Sequence, residues 1–266
     1  MPIKAKTEHE LELMRQSAAL LSSVMGLISR EIKTGISGLK LDKLAETFIR
    51  DHAASPSFKG YHGFPGSLCI SVNDEVVHGI PNAKAYKSGD IVSVDCGVFL
   101  NGYHADMAYT FGLGEIKPEH EKLLRVTKES LYEGIRFATA QNRTGDIGFA
   151  VQQYCEILHP YKCVRELVGH GLGKTLHEDP QVPNYGSRGS GPRLIENCTI
   201  AIEPMVNLGR RDVFTRKDRW TIATSDGKVS AHFEHTVRVG LKEAEIFTSF
   251  SDIEAGLAAN AELCKI

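Results

Sequence analysis

Four carboxylates and one imidazole concentrate the chemistry of this chain: Asp95, Asp106, Glu203, Glu234 and His170. Each acid sits in a segment that otherwise reads as an apolar strand, namely IVSVDCGVF, YHADMAYTF, CTIAIEPMV and HFEHTVRV. A carboxylate on a buried strand loses its hydration, and a divalent cation is the usual compensation. The set is rich in oxygen, with one imidazole and no thiolate, which favours Co, Mn, Fe or Zn over a soft thiolate site. Two such ions would neutralise the cluster. A dinuclear site of this kind generates a hydroxide nucleophile and polarises a carbonyl or phosphoryl oxygen, so hydrolysis is the chemistry to expect.

The spacing of the first two acids fits that reading. Asn101-Gly102 is a strong two-residue turn signal between apolar strands. Such a turn sets Asp95 opposite Ala108 and Asp106 opposite Gly97, on one sheet face, as diagonal neighbours about 7 Å apart. Carboxylates at that spacing suit two ions about 3.5–4 Å apart. The competing reading is a pair of acids on a solvent face. Glu203 follows the alternation Thr199, Ala201, Glu203, but an acid before Pro204 also marks a strand end near solvent. Glu234 alternates against Phe233, His235 and Val237, which fits a surface position too. His170 lies in VGHGLGKTLHEDP, where Gly169 and Gly171 permit close backbone approach. The stretch also resembles a phosphate loop, but that loop needs a glycine where Val168 stands. His78 and His177 each lie beside a turn, placed to reach into a cleft as hydrogen-bond partners or proton shuttles. A surface-loop histidine is the alternative for either.

The elements that must position these residues come in a repeated order. Thr7 and Glu10 form a capping box that opens a helix over 7–33, with Leu11, Met14, Ala18, Leu21, Met25, Ile28 and Ile32 on one stripe. Gly35 ends it, and a second helix covers 40–52. Positions 56–65 read as loop, and SLCISVNDEVVHGIP reads as a strand broken by a polar turn and ended at Pro81. A third helix begins at Pro118, a favourable first helical residue, and a fourth runs from after Asp146 to before Pro160. Strands and loops follow, until a weak helical pattern near the C-terminus. KSGDIVSVD echoes IENCTIAIE, Thr34-Gly35 echoes Thr144-Gly145, and His78-Gly79 echoes His170-Gly171. The reading is one α/β domain over residues 1–266, with like halves at 1–115 and 116–266 whose acids face each other across a cleft.

Composition excludes several classes. Among 266 residues, 42% are hydrophobic and 24% charged, as in ordinary soluble globular proteins. A net charge of −2 leaves no electrostatic footprint for specific nucleic acid or an anionic membrane. No run approaches the length of a membrane span, and the charged N-terminus has no signal-peptide core, which places the chain in the cytosol. Six cysteines lie far apart with no CxxC pair, against a zinc ribbon or a disulfide scaffold.

Taken together, GYHGFPGSLCISVNDEVVHGIP, VDCGVFLNGYHADMAYTF, GHGLGKTLHEDPQVPNY, AIEPMV and FEHTVRV closely resemble the methionine aminopeptidases of the short bacterial kind (type I), over nearly the whole chain. The resemblance implies the pita-bread fold, two α/β halves related by a pseudo-twofold axis around a central antiparallel sheet. It implies a Co-, Mn-, Fe- or Zn-loaded exopeptidase that removes the initiator methionine of nascent chains when the second residue is small. Asp95 would bind one ion, His170 and Glu203 the other, and Asp106 and Glu234 would bridge both. His177 would contact the scissile carbonyl oxygen, His78 the peptide nitrogen or the tetrahedral intermediate, and Glu203 would shuttle the proton of the attacking water.

The same resemblance implies a methionine pocket of Tyr61, Phe64, Cys69 and Trp220, with Phe58 and Leu176 beside them. The last two stand where relatives often carry Cys and Phe. Asn73 and Ser230, with the backbone of Glu75, match a monovalent-cation site in some relatives. A transient ribosome contact and a monomer are the implied associations. Glu203 follows His170 by only 33 positions, which leaves no room for the type II insertion, and no cysteine precedes Cys69 to build a eukaryotic zinc-binding extension. Aminopeptidase P and prolidase share the fold but usually carry a further N-terminal domain. From other classes, a metal-free interaction module on this fold and a dinuclear phosphoesterase compete, the latter without a basic residue placed to clamp phosphate.

Overall fold

The computed structural model describes residues 3–266. Helix α1 spans Glu8–Glu31. Thr7 Oγ1 accepts the Glu10 N–H at 3.3 Å, and Glu10 Oε2 accepts the Thr7 N–H at 2.9 Å, so the capping box forms. Leu11, Met14, Ala18, Leu21, Met25 and Ile28 are buried along its stripe. The chain turns through Gly35, at φ +86°, into α2 at Gly38–Asp51. Helix α3, Pro118–Ile135, begins on its proline as the sequence suggests. Helix α4, Thr144–Gln152, starts before Asp146 rather than after it. The Asp146 carboxylate caps it from within the first turn, accepting the Arg143 and Gly189 N–H groups, each at 2.8 Å. A π-helical turn, Gln153–Leu158, extends it towards Pro160. The C-terminal helix α5, Ser251–Ala259, packs on α1. Among the described residues no helix is long and apolar enough to cross a membrane.

Among the described residues the strands of every sheet pair antiparallel, and one isolated bridge, Thr139 with Gly240, is parallel. The strand Ile91–Leu100 pairs with Tyr103–Gly112 across the turn at Asn101 and Gly102, which take φ +53° and +86°. The two-residue turn dictates the register, and Asp95 falls opposite Ala108 with Gly97 opposite Asp106. Along its other edge Ile91–Leu100 pairs with Leu68–Val72, which sets Cys69 opposite Asp95, and with the short strand Ser55–Pro56. The segment expected to be all loop therefore starts with a sheet contact, and it also holds a 3-10 turn at Tyr61–Gly63. The strand expected to reach Pro81 stops at Val77, because His78 takes φ +58°.

A second, five-stranded sheet runs in the order Glu245–Ile246, His235–Arg238, Thr199–Ile202, Gly169–Gly171, Glu178–Val182. Ile202 pairs with His235, so Glu203 and Glu234 leave adjacent ends of one strand pair. Two hydrogen-bond sets join this sheet to the first. Glu234 N–H donates to Ala108 O at 3.0 Å, and Thr236 Oγ1 both accepts the Asp106 N–H at 2.9 Å and donates to Asp106 O at 2.8 Å. They bring the acids of both sheets side by side. One apolar core runs continuously from α1 through the hairpin to α3 and the second sheet.

Candidate metal centre and adjoining cleft

Donor atoms of Asp106, His170 and Glu234 lie within 4.8 Å of one another. Asp106 and Glu234 are only 4% and 2% exposed, although Glu234's alternation had also fitted a surface position. His170 Nε2 lies 4.0 Å from Asp106 Oδ2 and 3.6 Å from Glu203 Oε1. Asp95, Asp106, His170, Glu203 and Glu234 all line one cleft, together with His78 and His177.

The donor set fits a divalent ion. His170 Nδ1 lies 2.9 Å from Gly171 O, which only accepts, so Nδ1 carries the hydrogen and Nε2 turns its lone pair to the carboxylates. A lone pair against carboxylate oxygens is repulsive unless a cation stands between them. The buried Asp95 Oδ1 and Glu234 Oε1 have no hydrogen-bond partner. Burial drives each group towards its neutral form. It pushes Asp95 up to about 7 and Glu203 up to about 8, and His170 and His78 down to about 3 and about 4. Burial, reinforced by the neighbouring carboxylates, lifts Asp106 and Glu234 well above the usual carboxylate range. Orphaned oxygens and an unprotonated ring nitrogen, gathered in a dry site, are what a hard or borderline cation would satisfy.

The backbone spacing that holds the imidazoles depends on glycine. A Cβ on Gly171 would fall 2.2 Å from Asp179 O, and one on Gly79 would fall 2.1 Å from Ile70 O. Those contacts lay His170 against the strand that follows His177, and His78 against Leu68–Val72.

Beside the acids the cleft encloses about 200 Å³. Phe58, Phe64, Cys69 and Leu176 form its buried wall, with Tyr61, Ile80 and Trp220 packed against them. The Phe64 and Trp220 rings meet edge-on, with centroids 5.1 Å apart. Tyr61 Oη is 2.7 Å from His177 Nδ1, and the His177 ring lies 4.2 Å from that of His170.

Three residues of the site escaped the sequence reading. His62 lines the cleft and Ile80 backs its wall, both in irregular segments whose side-chain direction no periodicity reveals. His232 is 1% exposed, with Nε2 3.6 Å from Glu203 Oε2. Its signal was present in AHFEHT, where it precedes Glu234 by two residues and so shares its face in an extended chain. At the expected monovalent site, Asn73 Oδ1 accepts the Ile91 N–H at 2.9 Å and Nδ2 donates to Asp90 at 3.0 Å. The Asn73 carbonyl accepts the Ser230 N–H at 2.9 Å, and Ser230 Oγ donates to Asn207 Oδ1 at 2.8 Å.

Residues 12–240 match the model of metallopeptidase family M24. The chain belongs to that family. Within it, the chain is 50% identical over 243 residues to the methionine aminopeptidase of Clostridium perfringens, spanning 91% of this chain and 97% of that one. Methionine aminopeptidase 1 of Bacillus subtilis is 49% identical over 246 residues, spanning 92% and 99%. The crystal structure of methionine aminopeptidase from Rickettsia prowazekii superposes with a TM-score of 0.91 at 38% identity, over 93% of this chain and all of that one. The fold is therefore the pita-bread fold of M24, and the chain groups with the type I methionine aminopeptidases. An X-Pro aminopeptidase from Thermotoga maritima shares the fold alone, with a TM-score of 0.73 at 19% identity, and this chain covers 62% of its length.

Proposed function

We propose that this chain removes the N-terminal methionine from peptides whose second residue is small, with Asp95, Asp106, His170, Glu203 and Glu234 holding two divalent ions of the Co, Mn, Fe or Zn kind. The observation that carries the reading is the buried Asp106–His170–Glu234 cluster at the end of an apolar cleft. Asp95 would serve one ion and His170 and Glu203 the other, with Asp106 and Glu234 shared between them. When bound, such ions supply Lewis acidity, polarising the scissile carbonyl and making water acidic enough to attack near neutral pH.

The chain's own groups do the rest. Phe58, Phe64, Cys69, Leu176, Tyr61 and Trp220 take the methionine side chain, whose thioether suits an apolar, adaptable wall. With the Tyr61 phenol donating to His177 Nδ1, the hydrogen of His177 sits on Nε2, ready for the oxyanion of the tetrahedral intermediate. Burial lowers the His177 pKa, so the ring is neutral near pH 7 and its Nδ1 is free to accept the Tyr61 phenol. His78 contacts the peptide nitrogen. Glu203 holds the proton taken from the attacking water and hands it to the leaving amine.

The proposal includes one catalytic domain over 1–266 built from like halves, 1–115 and 116–266, since each half supplies two of the four acids. It also includes nascent chains as substrates met in transient contact with the ribosome, and a cytosolic monomer. A monovalent ion at Asn73 and Ser230 would draw on main-chain oxygens and the Ser230 hydroxyl, because the Asn73 side chain is already engaged.

The test is hydrolysis of Met-Ala-Ser and Met-Leu-Ser by Mn- or Co-loaded protein, beside Asp106→Ala. Methionine released from the first peptide only, and lost in the variant, is the expected result. No release with any of Co, Mn, Fe or Zn would favour the interaction module, and cleavage confined to X-Pro peptides would favour the aminopeptidase P branch.

A further inference from the structure

We propose that His232 is a positioning residue for Glu203: its Nε2–H takes Glu203 Oε2 and leaves Oε1, beside His170, to face the divalent ion. The inference rests on the metal-centre reading above and adds a residue that acts only through Glu203.

The imidazole is placed by the fold. His232 is 1% exposed, and neither ring nitrogen has a hydrogen-bond partner. A buried ring with two idle polar atoms is costly, and a native interior keeps few of them without a use. Its backbone is clamped by one side chain. His232 N–H donates to Thr110 Oγ1 at 2.9 Å, the Thr110 hydroxyl donates back to His232 O at 2.7 Å, and Ser93 Oγ lies 2.8 Å from that same hydroxyl. Strand pairing sets His232 opposite Met205, two residues after Glu203, which brings the ring close to the acid.

Glu203 is bracketed by two imidazoles, one on each oxygen. Oε1 is 3.6 Å from His170 Nε2, and Oε2 is 3.6 Å from His232 Nε2. The two rings are not equivalent. His170 has committed its hydrogen to Gly171 O through Nδ1, so its Nε2 is a lone pair. His232 has no such commitment, so its hydrogen is available at Nε2, where an acceptor waits. The tautomers divide the work: one ring turns a lone pair to the ion, the other turns a donor to the carboxylate. Once His232 closes the 3.6 Å gap to Oε2, Glu203 would lose rotation about its last torsion and offer a single oxygen to the ion, with less entropy left to lose on binding.

The test compares wild type, His232→Gln and His232→Leu by calorimetric titration of chelator-stripped protein with MnCl₂, and by the visible spectrum of the Co-loaded forms. Glutamine keeps an N–H donor at similar reach, whereas leucine removes it. His232→Leu should weaken one class of Mn site by about 10–100-fold, the usual effect of deleting a group that supports a ligand, and should shift the Co bands. His232→Gln should stay within about threefold of wild type. Thermal midpoints of the metal-free forms separate lost folding from lost binding, and His232→Ala replaces leucine if leucine disturbs the core. Unchanged Mn affinity and Co bands in both donor-free variants would make His232 mere filler and overturn the inference. Glutamine as weak as leucine at equal metal-free stability would also overturn it, since the imidazole itself would then be required as a ligand. Wild type that binds no Mn would overturn the metal-centre reading itself, and the inference with it.

Discussion

Replacing Gly171 by alanine disturbs two histidines of the proposed site at once. Gly171 follows His170 and pairs with Glu178, at the point where the register between the two strands shifts. An added Cβ would lie 2.2 Å from Asp179 O and 2.7 Å from Asp179 C. These are main-chain atoms of the adjoining strand, so no flexible side chain can swing aside. Real Cβ atoms essentially never approach closer than 3.0 Å, so the strands must part by about 0.8 Å from the present 2.2 Å. One strand carries His170, and the other begins directly after His177. A displacement of about 1 Å in a catalytic group costs about 100-fold in rate, and overpacking a tight contact costs about 1–3 kcal/mol in stability. Initial rates of Met-Ala-Ser hydrolysis by Mn-loaded Gly171→Ala should therefore give kcat/KM about 100-fold below wild type. Mn affinity should fall as well, because His170 moves with its strand. A variant with kcat/KM within about twofold of wild type and unchanged Mn affinity would refute the reasoning, since the site would then tolerate the parted strands.

Other perturbations test separate parts of the account. Burial raises Asp95 and Glu203 to about 7 and about 8, above ordinary values of 3.8 and 4.5. The folded metal-free chain thus holds protons that the unfolded chain sheds. Below pH 6.5 this effect is opposed by His170 and His78, which burial lowers from 6.5 to about 3 and about 4. From pH 6.5 to about 8 the carboxylates act alone, and stability should fall as pH rises. Denaturant midpoints in chelator would show this slope, and saturating Mn should flatten it; a midpoint that climbs with pH over that range would contradict the burial argument. Tyr61→Phe removes the phenol that meets His177 Nδ1 at 2.7 Å while keeping the ring in the cleft, so kcat should fall about tenfold with little change in KM. Equal kcat in the variant would count against the assigned His177 tautomer. Lys6 Nζ lies 2.8 Å from Glu178 Oε2, with the two side chains 7% and 17% exposed. Lys6→Met should therefore cost about 3 kcal/mol in chemical denaturation, and adding Glu178→Gln should recover part of it.

How far the site could be read from sequence depended on what fixes a side chain's direction. Asp95 and Asp106 were legible because Asn101-Gly102 allows one register, and register settles the face of every residue in the hairpin. Glu203 was legible only as a strand-end acid, and Glu234 only as an acid alternating against apolar neighbours. Alternation puts them on a face but does not say whether that face is inside. What buries Glu234 is the bond from its N–H to Ala108 O, a contact between distant segments that no local pattern encodes. His170 announced itself through its flanking glycines, whose need appears only when Asp179 O and Ala201 O press against them. His62 and Ile80 lie in irregular chain with no period to follow, whereas His232 obeyed the period and was overlooked beside Glu234. Helix α4 began earlier than its acid because Asp146 caps from inside the first turn, which reverses the usual order of cap and helix.

Crystals of the Mn-loaded protein, with anomalous scattering recorded at the Mn edge, test the central claim most directly. The account predicts anomalous peaks between the carboxylates of Asp95, Asp106, Glu203 and Glu234 and Nε2 of His170. Peaks elsewhere on the protein, or none within this cluster, would contradict it.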